Sequence, residues 1–277
     1  MIRIIVDSGS DTPVAAGLCH HHIPLTVTIG GTDYQDGHNL TADRFYELLT
    51  STQEFPKTSQ PSPEAFLDAF LQAKQAQDDV LCFCLSSALS GTYQSAQIAM
   101  NMADYDRIYL IDTCMVSHLI GVLLRHANKR ITEGASAQQI AQECEALKGR
   151  VRVFAGLDTL EYLYKGGRLS RASAAVGQIA GIKPLITFTQ EGTVSLCGKA
   201  IGVPRAIQTI LTKMESQQID PAYPVDTLYT CGTENVEKLE AKLQAAGIQT
   251  GSRLQVGPAI GTHVGPNVYG VVFVVKE

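Results

Sequence analysis

Three short apolar runs, each ending at a polar residue, constrain this chain more than any other feature. Ile2 to Val6, Val80 to Leu85 and Arg107 to Ile111 lack the alternation of a half-buried strand, so each reads as a strand covered on both faces. They stop at Asp7, Ser86 and Asp112, and helix-like segments separate them. Strands alternating with helices predict a parallel sheet clothed by helices on both sides. In such sheets ligands sit beyond the carboxyl ends of the strands, where the three polar exits converge.

The connecting segments carry local signals. Thr12-Pro13 opens a helix, with Thr12 as cap and Pro13 at the first helical position. Pro24 to Ile29 is a strand that Gly30-Gly31 turns back through Thr32 to Gln35. Thr41 to Leu49 and the segment opened by Ser62-Pro63-Glu64 are helical, and Ser136 with Gln139 forms a capping box for a helix through Leu147.

The second half has a different texture. Val151 to Ala155 is a strand, Asp158 with Glu161 caps a short helix, and Gly166-Gly167 ends it. Ala172 to Ala180 reads as a helix of small residues. Pro184 to Phe188 and Val194 to Cys197 flank Gln190-Glu191-Gly192 as a hairpin. Helical stripes at Ile207, Ile210, Leu211, Met214 and at Val236, Leu239, Leu243 alternate with strands at 226–231, 253–256 and 268–275. The expected fold class is α/β: an N-terminal three-layer parallel-sheet domain over residues 1–155 and a C-terminal mixed-sheet α/β domain over 156–277, with a ligand tunnel between them.

Composition narrows the function classes. The 277 residues are 45% hydrophobic and 18% charged, which fits a globular core and excludes disorder. A net charge of −5 without a Lys/Arg run argues against nucleic acid or a membrane surface as partner. No apolar stretch reaches bilayer length, so no integral membrane association is expected. Seven scattered cysteines, an odd number without a C-x-x-C pair, read as reduced residues of a cytoplasmic protein.

Four segments carry candidate chemistry. Ser86-Ser87-Ala88-Leu89-Ser90-Gly91-Thr92-Tyr93 empties a buried strand into a hydroxyl-rich helix start, an anion site built from Ser90 and the N–H groups of Gly91 and Thr92. Helix capping explains one of these hydroxyls but not the whole set. Thr58 and Ser59 lie in a polar loop ahead of the Ser62 cap, with hydroxyls that have no local task. His263 sits within Gly257 to Pro266, where three glycines and two prolines fix the path of a loop between strands. Arg168 follows the double glycine with forked donors suited to a phosphate or a carboxylate.

Two clusters argue for no metal site. Consecutive His20, His21 and His22 point in different directions and make a poor chelate. Asp7, Asp11 and Asp112 lack further ligands at recognisable spacing. No metal or cofactor is expected.

Taken together, Asp7-Ser8-Gly9-Ser10-Asp11, Thr58-Ser59-Gln60-Pro61-Ser62, Ser87-x-x-Ser90-Gly91-Thr92-Tyr93, Leu160-Glu161-Tyr162-Leu163-x-Lys165-Gly166-Gly167-Arg168, Ile182-Lys183-Pro184 and Gly261-Thr262-His263-Val264-Gly265-Pro266 resemble, in order and across the whole chain, the DegV family. The resemblance implies a long-chain fatty acid held in a tunnel between two α/β domains. It further implies a non-catalytic, acyl-carrying subunit that presents the acid to the separate ATP-binding subunit of a fatty-acid kinase, within phospholipid metabolism. Thr58, Ser59, Ser90, Gly91, Thr92 and His263 then serve the carboxylate, with His263 also in support of phosphoryl transfer, and Arg168 falls in the stretch that contacts the kinase subunit. The chain departs from the family pattern at Lys199-Ala200-Ile201, where Lys-x-Arg is usual, and at Asn267, where glycine is usual. The alternative reading is a serine hydrolase with Ser90 as nucleophile and His263 as base, although the Gly-x-Ser-x-Gly elbow is missing.

Overall fold

The computed structural model describes residues 1–12, 16–52, 54–169 and 181–277. The expected helix opened by Thr12-Pro13 falls partly outside these residues, and the expected small-residue helix at Ala172 to Ala180 falls wholly outside them.

The first half is built on a four-stranded parallel sheet. β1 (Ile2–Asp7), β2 (His21–Ile23), β3 (Thr26–Ile29), β4 (Thr32–Gln35), α1 (Ala42–Ser51), β5 (Lys57–Ser59), α2 (Pro63–Ala76), β6 (Asp79–Cys84), α3 (Thr92–Ala103), β7 (Ile108–Asp112), α4 (His118–Thr132) and α5 (Ala137–Lys148) follow in order. The parallel sheet runs β2-β1-β6-β7, and a separate antiparallel sheet runs β4-β3-β5. Alternation sorts the apolar strands between two cores. Ile5, Val80, Cys82 and Cys84 face α2 and α3, against Phe66, Phe70, Ala96 and Ala99. Ile4, Val6, Leu81 and Phe83 face the other way, toward Ile120, Leu123 and Ile140 of α4 and α5. Strands buried on both sides are therefore apolar throughout, as the sequence predicts.

The second half is a six-stranded mixed sheet. β8 (Val151–Gly156), α6 (Glu161–Lys165), β9 (Ile182–Phe188), β10 (Val194–Ile201), α7 (Val203–Glu215), β11 (Val225–Tyr229), α8 (Glu234–Ala245), β12 (Thr250–Gln255), α9 (Pro258–Val264) and β13 (Tyr269–Val274) follow, and the strand order is β10-β9-β8-β13-β11-β12. β8 belongs to this sheet, so the sheet begins at Val151, a few residues before the division expected at 155. One face, with Phe154, Leu185, Val271 and Phe273, packs on α7 and α8. The other face, with Val153, Ala155, Ile186, Leu228 and Val272, joins the core of the first half. That second face also lines an internal cavity.

Long-range polar contacts lock the halves together. Tyr46 Oη donates to the Val256 carbonyl at 2.8 Å, His118 Nε2 lies 2.7 Å from the Gln255 carbonyl, and Arg125 pairs with Asp226 at 2.7 Å. Ser86 Oγ donates to the Gly192 carbonyl at 2.9 Å, tying the serine turn to the β9–β10 hairpin. All seven cysteines are unpaired.

Several local expectations are corrected. Asp158 does not cap α6, whose cap position is Leu160. The carboxylate instead bonds Lys183 at 2.7 Å and Asn267 at 2.8 Å, which accounts for the lysine of Ile182-Lys183-Pro184. Ser62 stands at the cap position of α2, but its side chain makes no capping bond. Asn267 has φ 60, a left-handed backbone that asparagine tolerates better than most residues, so it replaces the usual glycine there. Among the described residues no helix is long and apolar enough to cross a membrane.

Candidate functional site

The three polar strand exits do converge, and they act as staples. Asp7 accepts from the backbone N–H groups of Gly9 at 2.8 Å and Leu85 at 2.7 Å, which fixes the exit of β6. Burial pushes the Asp7 carboxyl up to about 7. Asp112 accepts from the N–H groups of Ser87 and Cys114 at 3.2 and 3.1 Å and from the Ser87 hydroxyl. Asp11 takes the Ser117 hydroxyl. These carboxylates are committed to loop geometry and do not gather around a cation. Among the described residues no group of three or more His, Cys, Asp or Glu is placed to hold a metal.

Held by these staples, the serine turn faces a cavity of about 50 Å³. Thr58, Ser90, Arg168 and His263 line its polar end, and Leu25, Leu85, Leu163 and Ile260 are among its apolar walls. Thr58 Oγ1 lies 2.8 Å from His263 Nε2. Ser90 Oγ lies 2.9 Å from Thr92 Oγ1, and Thr92 is fully buried, so Thr92 orients the Ser90 hydroxyl rather than lining the cavity. Gly91 holds the cap position of α3 with no side-chain capping bond. A Cβ at Gly91 would collide with the Gln60 amide, and Gln60 Nε2 donates to Ser95 Oγ at 3.0 Å. Gln60 therefore braces the serine turn against β5. Sequence reading passed it over because its role lies in a contact between distant loops.

Ser59 is exposed and does not line the cavity. Residues 57–59 form a strand paired with β3 rather than a loop, and alternation turns Ser59 away from the side that Thr58 faces.

His263 is carried on a helix, not on a loop. Pro258 takes the first helical position of α9, Asp36 Oδ2 accepts from the Ala259 N–H at 3.3 Å, and the helix lies against β3, β5 and α6. Burial, with the nearby Arg168 charge, drives the His263 pKa down to about 4, so the ring is neutral at physiological pH. Its Nδ1 is buried without a partner, beside the backbone of Gly166.

Arg168 belongs to the same site. Its Nε donates to the Leu89 carbonyl at 3.0 Å and its guanidinium also reaches the Gly166 carbonyl. Burial lowers its pKa, yet arginine stays charged. The family resemblance implies a partner contact for Arg168; the structure places it on the cavity lining beside His263.

Behind the polar end a second cavity of about 50 Å³ adjoins the first across Val116, Phe188, Val194, Ile260 and Val264. Val153, Ala155, Ile186, Leu228 and Val268 extend it along the inner face of the six-stranded sheet. Among the described residues its lining is apolar apart from Ser117.

A hydrolytic dyad is not assembled. Ser90 Oγ pairs with Thr92 while His263 Nε2 is engaged by Thr58. The other ring nitrogen has no carboxylate to orient it, so the serine hydrolase reading lacks its base and its third group.

Comparison with known proteins agrees with this architecture. The family model described as "Uncharacterised protein, DegV family" matches residues 1–276. A DegV domain-containing protein of Caldanaerobacter subterraneus subsp. tengcongensis is 36% identical over 276 residues, covering 98% of each chain. The fatty-acid-binding DegV family protein of Thermus thermophilus superposes with a TM-score of 0.88 at 31% identity, covering 99% of each chain. DegV of Bacillus subtilis, described as a fatty acid binding protein, superposes at 0.84 with 27% identity, covering 99% of each chain.

Proposed function

The chain belongs to the DegV family, and on that premise we propose that it binds a long-chain fatty acid, carboxylate at Thr58, Ser90 and Arg168 and acyl chain along the six-stranded sheet. One observation carries this reading: a cavity with hydroxyls and a guanidinium at one end adjoins a second cavity whose described lining is almost wholly apolar. An ionised carboxylate is costly to bury unless paired and hydrogen-bonded, and hydrogen bonds to a charged group contribute about 1.5–3 kcal/mol each. The apolar void matches the other end. About sixteen buried methylenes at ~0.8 kcal/mol each give a gross driving force of roughly 13 kcal/mol, much of it offset by lost translational and chain freedom.

The tautomer of His263 fits this role. With a neutral ring, Nε2–H donating to Thr58 Oγ1 leaves the Thr58 O–H free to donate to the ligand carboxylate. His263 then holds a donor in place without adding a charge.

In the finer reading the protein has no turnover of its own and presents its carboxylate to an ATP-dependent kinase subunit. His263 supports phosphoryl transfer and Arg168 lies between the cavity and the partner. The position of Arg168 on the cavity lining, half-exposed, supports that reading.

Native mass spectrometry of purified protein tests the core of it. A co-purified long-chain acid, exchangeable for added palmitate, is expected; protein that neither carries nor takes up an acyl chain overturns the reading. Acyl phosphate formation that requires this protein, a kinase subunit and ATP together tests the finer part.

A further inference from the structure

Phe188 is the last residue of β9, and its side chain touches three separate spaces. It lines the cavity with the polar end, the apolar extension behind it, and a solvent-open cleft of about 450 Å³ between α5 and the edge of β8. The apolar extension and the cleft share Leu119, Val153 and Phe188, so one layer of side chains separates them. Leu119 and Val153 are 2% and 4% exposed and sit within α4 and β8. Phe188 is only half-buried, at a strand end where the hairpin to Val194 begins.

The two sides of this layer differ in chemistry. On the inner side lie Ala155, Ile186 and Val268. On the outer side lie Glu145, Lys148, Arg152 and Gln190. A methyl terminus pushed through would leave an apolar lining for charged groups and water, losing the transfer energy of every methylene that crosses.

We propose that Phe188 is the specificity-determining residue for acyl length: with Leu119 and Val153 it closes the apolar extension, and its removal joins the extension to the outer cleft. The inference rests on the fatty-acid reading above and deepens it. Ile186 shares the same strand face but lines only the inner space, so it does not act as a partition.

The test is competition binding with myristic, palmitic, stearic, arachidic and behenic acids on wild type, Phe188→Ala and Phe188→Trp, with thermal melts to establish folding. Phe188→Ala is expected to raise affinity for behenic relative to palmitic acid by about tenfold or more, because the space the ring vacates shelters about two further methylenes before the chain meets the polar cleft. Phe188→Trp is expected to move the preference toward myristic acid. Phe188→Leu, which keeps an apolar side chain on the strand, replaces the alanine variant should that one not fold. Folded variants with the wild-type length profile overturn the role of Phe188 and leave fatty-acid binding intact. Wild type that binds none of the five acids overturns both.

Discussion

Thr58 and His263 stand 205 positions apart in the chain and 2.8 Å apart in space. The contact joins a short strand of the first half to a helix of the second, and it aims the threonine hydroxyl at the polar end of the cavity. Removing that hydroxyl and its neighbour tests the head-group site directly. Thr58→Val combined with Ser90→Ala is expected to lower fatty-acid affinity by about tenfold to a hundredfold, the loss of one or two hydrogen bonds to a charged group. Isothermal titration with palmitate checks it, and unchanged affinity in a folded double variant places the carboxylate elsewhere.

Gly166 has ordinary helical backbone angles, with φ −72, so alanine suits it conformationally. A methyl there, however, runs into His263 Nδ1 and approaches the Tyr162 carbonyl at 3.0 Å. Gly166→Ala is expected to displace the ring from Thr58 and weaken ligand binding, with a stability loss of about 1–3 kcal/mol from overpacking. Binding and melting on the same sample separate the two effects; full affinity would show that the ring position is irrelevant to the ligand.

Arg168 is the guanidinium on the polar lining, and it also ties the Leu89 turn. Arg168→Lys keeps the charge but loses the fork that bonds both Leu89 and Gly166. Arg168→Gln loses the charge. Palmitate affinity is expected to fall in both and further in glutamine. A glutamine variant that binds as well as wild type removes Arg168 from the head-group site.

Asp36 is buried near the start of α9, and burial raises its carboxyl from 3.8 to about 7. The unfolded chain therefore ionises this group first. Its contribution opposes folding as pH rises above 3.8 and levels off above about 7. Asp36→Asn removes that ionisation while keeping an oxygen for the Ala259 N–H. Relative to wild type the variant is expected to be level near pH 4 and to gain as much as about 4 kcal/mol by pH 8. Urea unfolding at several pH values measures the difference, and a constant offset across pH would contradict it.

His22, His118 and His263 act in the opposite direction. Burial lowers each to about 4, so the unfolded state protonates first as pH falls from 6.5, and each costs stability down to about pH 4. His118→Asn is expected to flatten the acid limb of the wild-type stability curve, which the same titration series reads.

Local chemistry was legible in the chain itself. The apolar runs at Ile2, Val80 and Ile108, the helix after Thr41 and the capping box of Ser136 and Gln139 need only neighbouring residues, and each forms as expected. Helix α4 was not legible. Its cap position, Ser117, makes no side-chain capping bond, and Leu119 to Leu124 is buried on every side, so no polar face marks a period. The Gly/Pro segment around His263 read as a loop because its helix depends on docking against distant elements, with Asp36 at its start and Tyr46 packed on Gly261. Likewise, Lys57 to Ser59 became a strand only by pairing with β3.

The sequence by itself determined the three apolar strands β1, β6 and β7 of the parallel sheet, the capping box of Ser136 and Gln139, and which segments carry hydroxyls, because those features rest on interactions within a few residues. Only the tertiary structure decided that Thr58, Ser90, Arg168 and His263 share one cavity, that Ser59 turns away from it, and that Phe188 divides it from the outside. Those relationships follow from how α9 and the six-stranded sheet pack against β3, β5 and α4 of the first half, which brings together atoms as many as 205 positions apart.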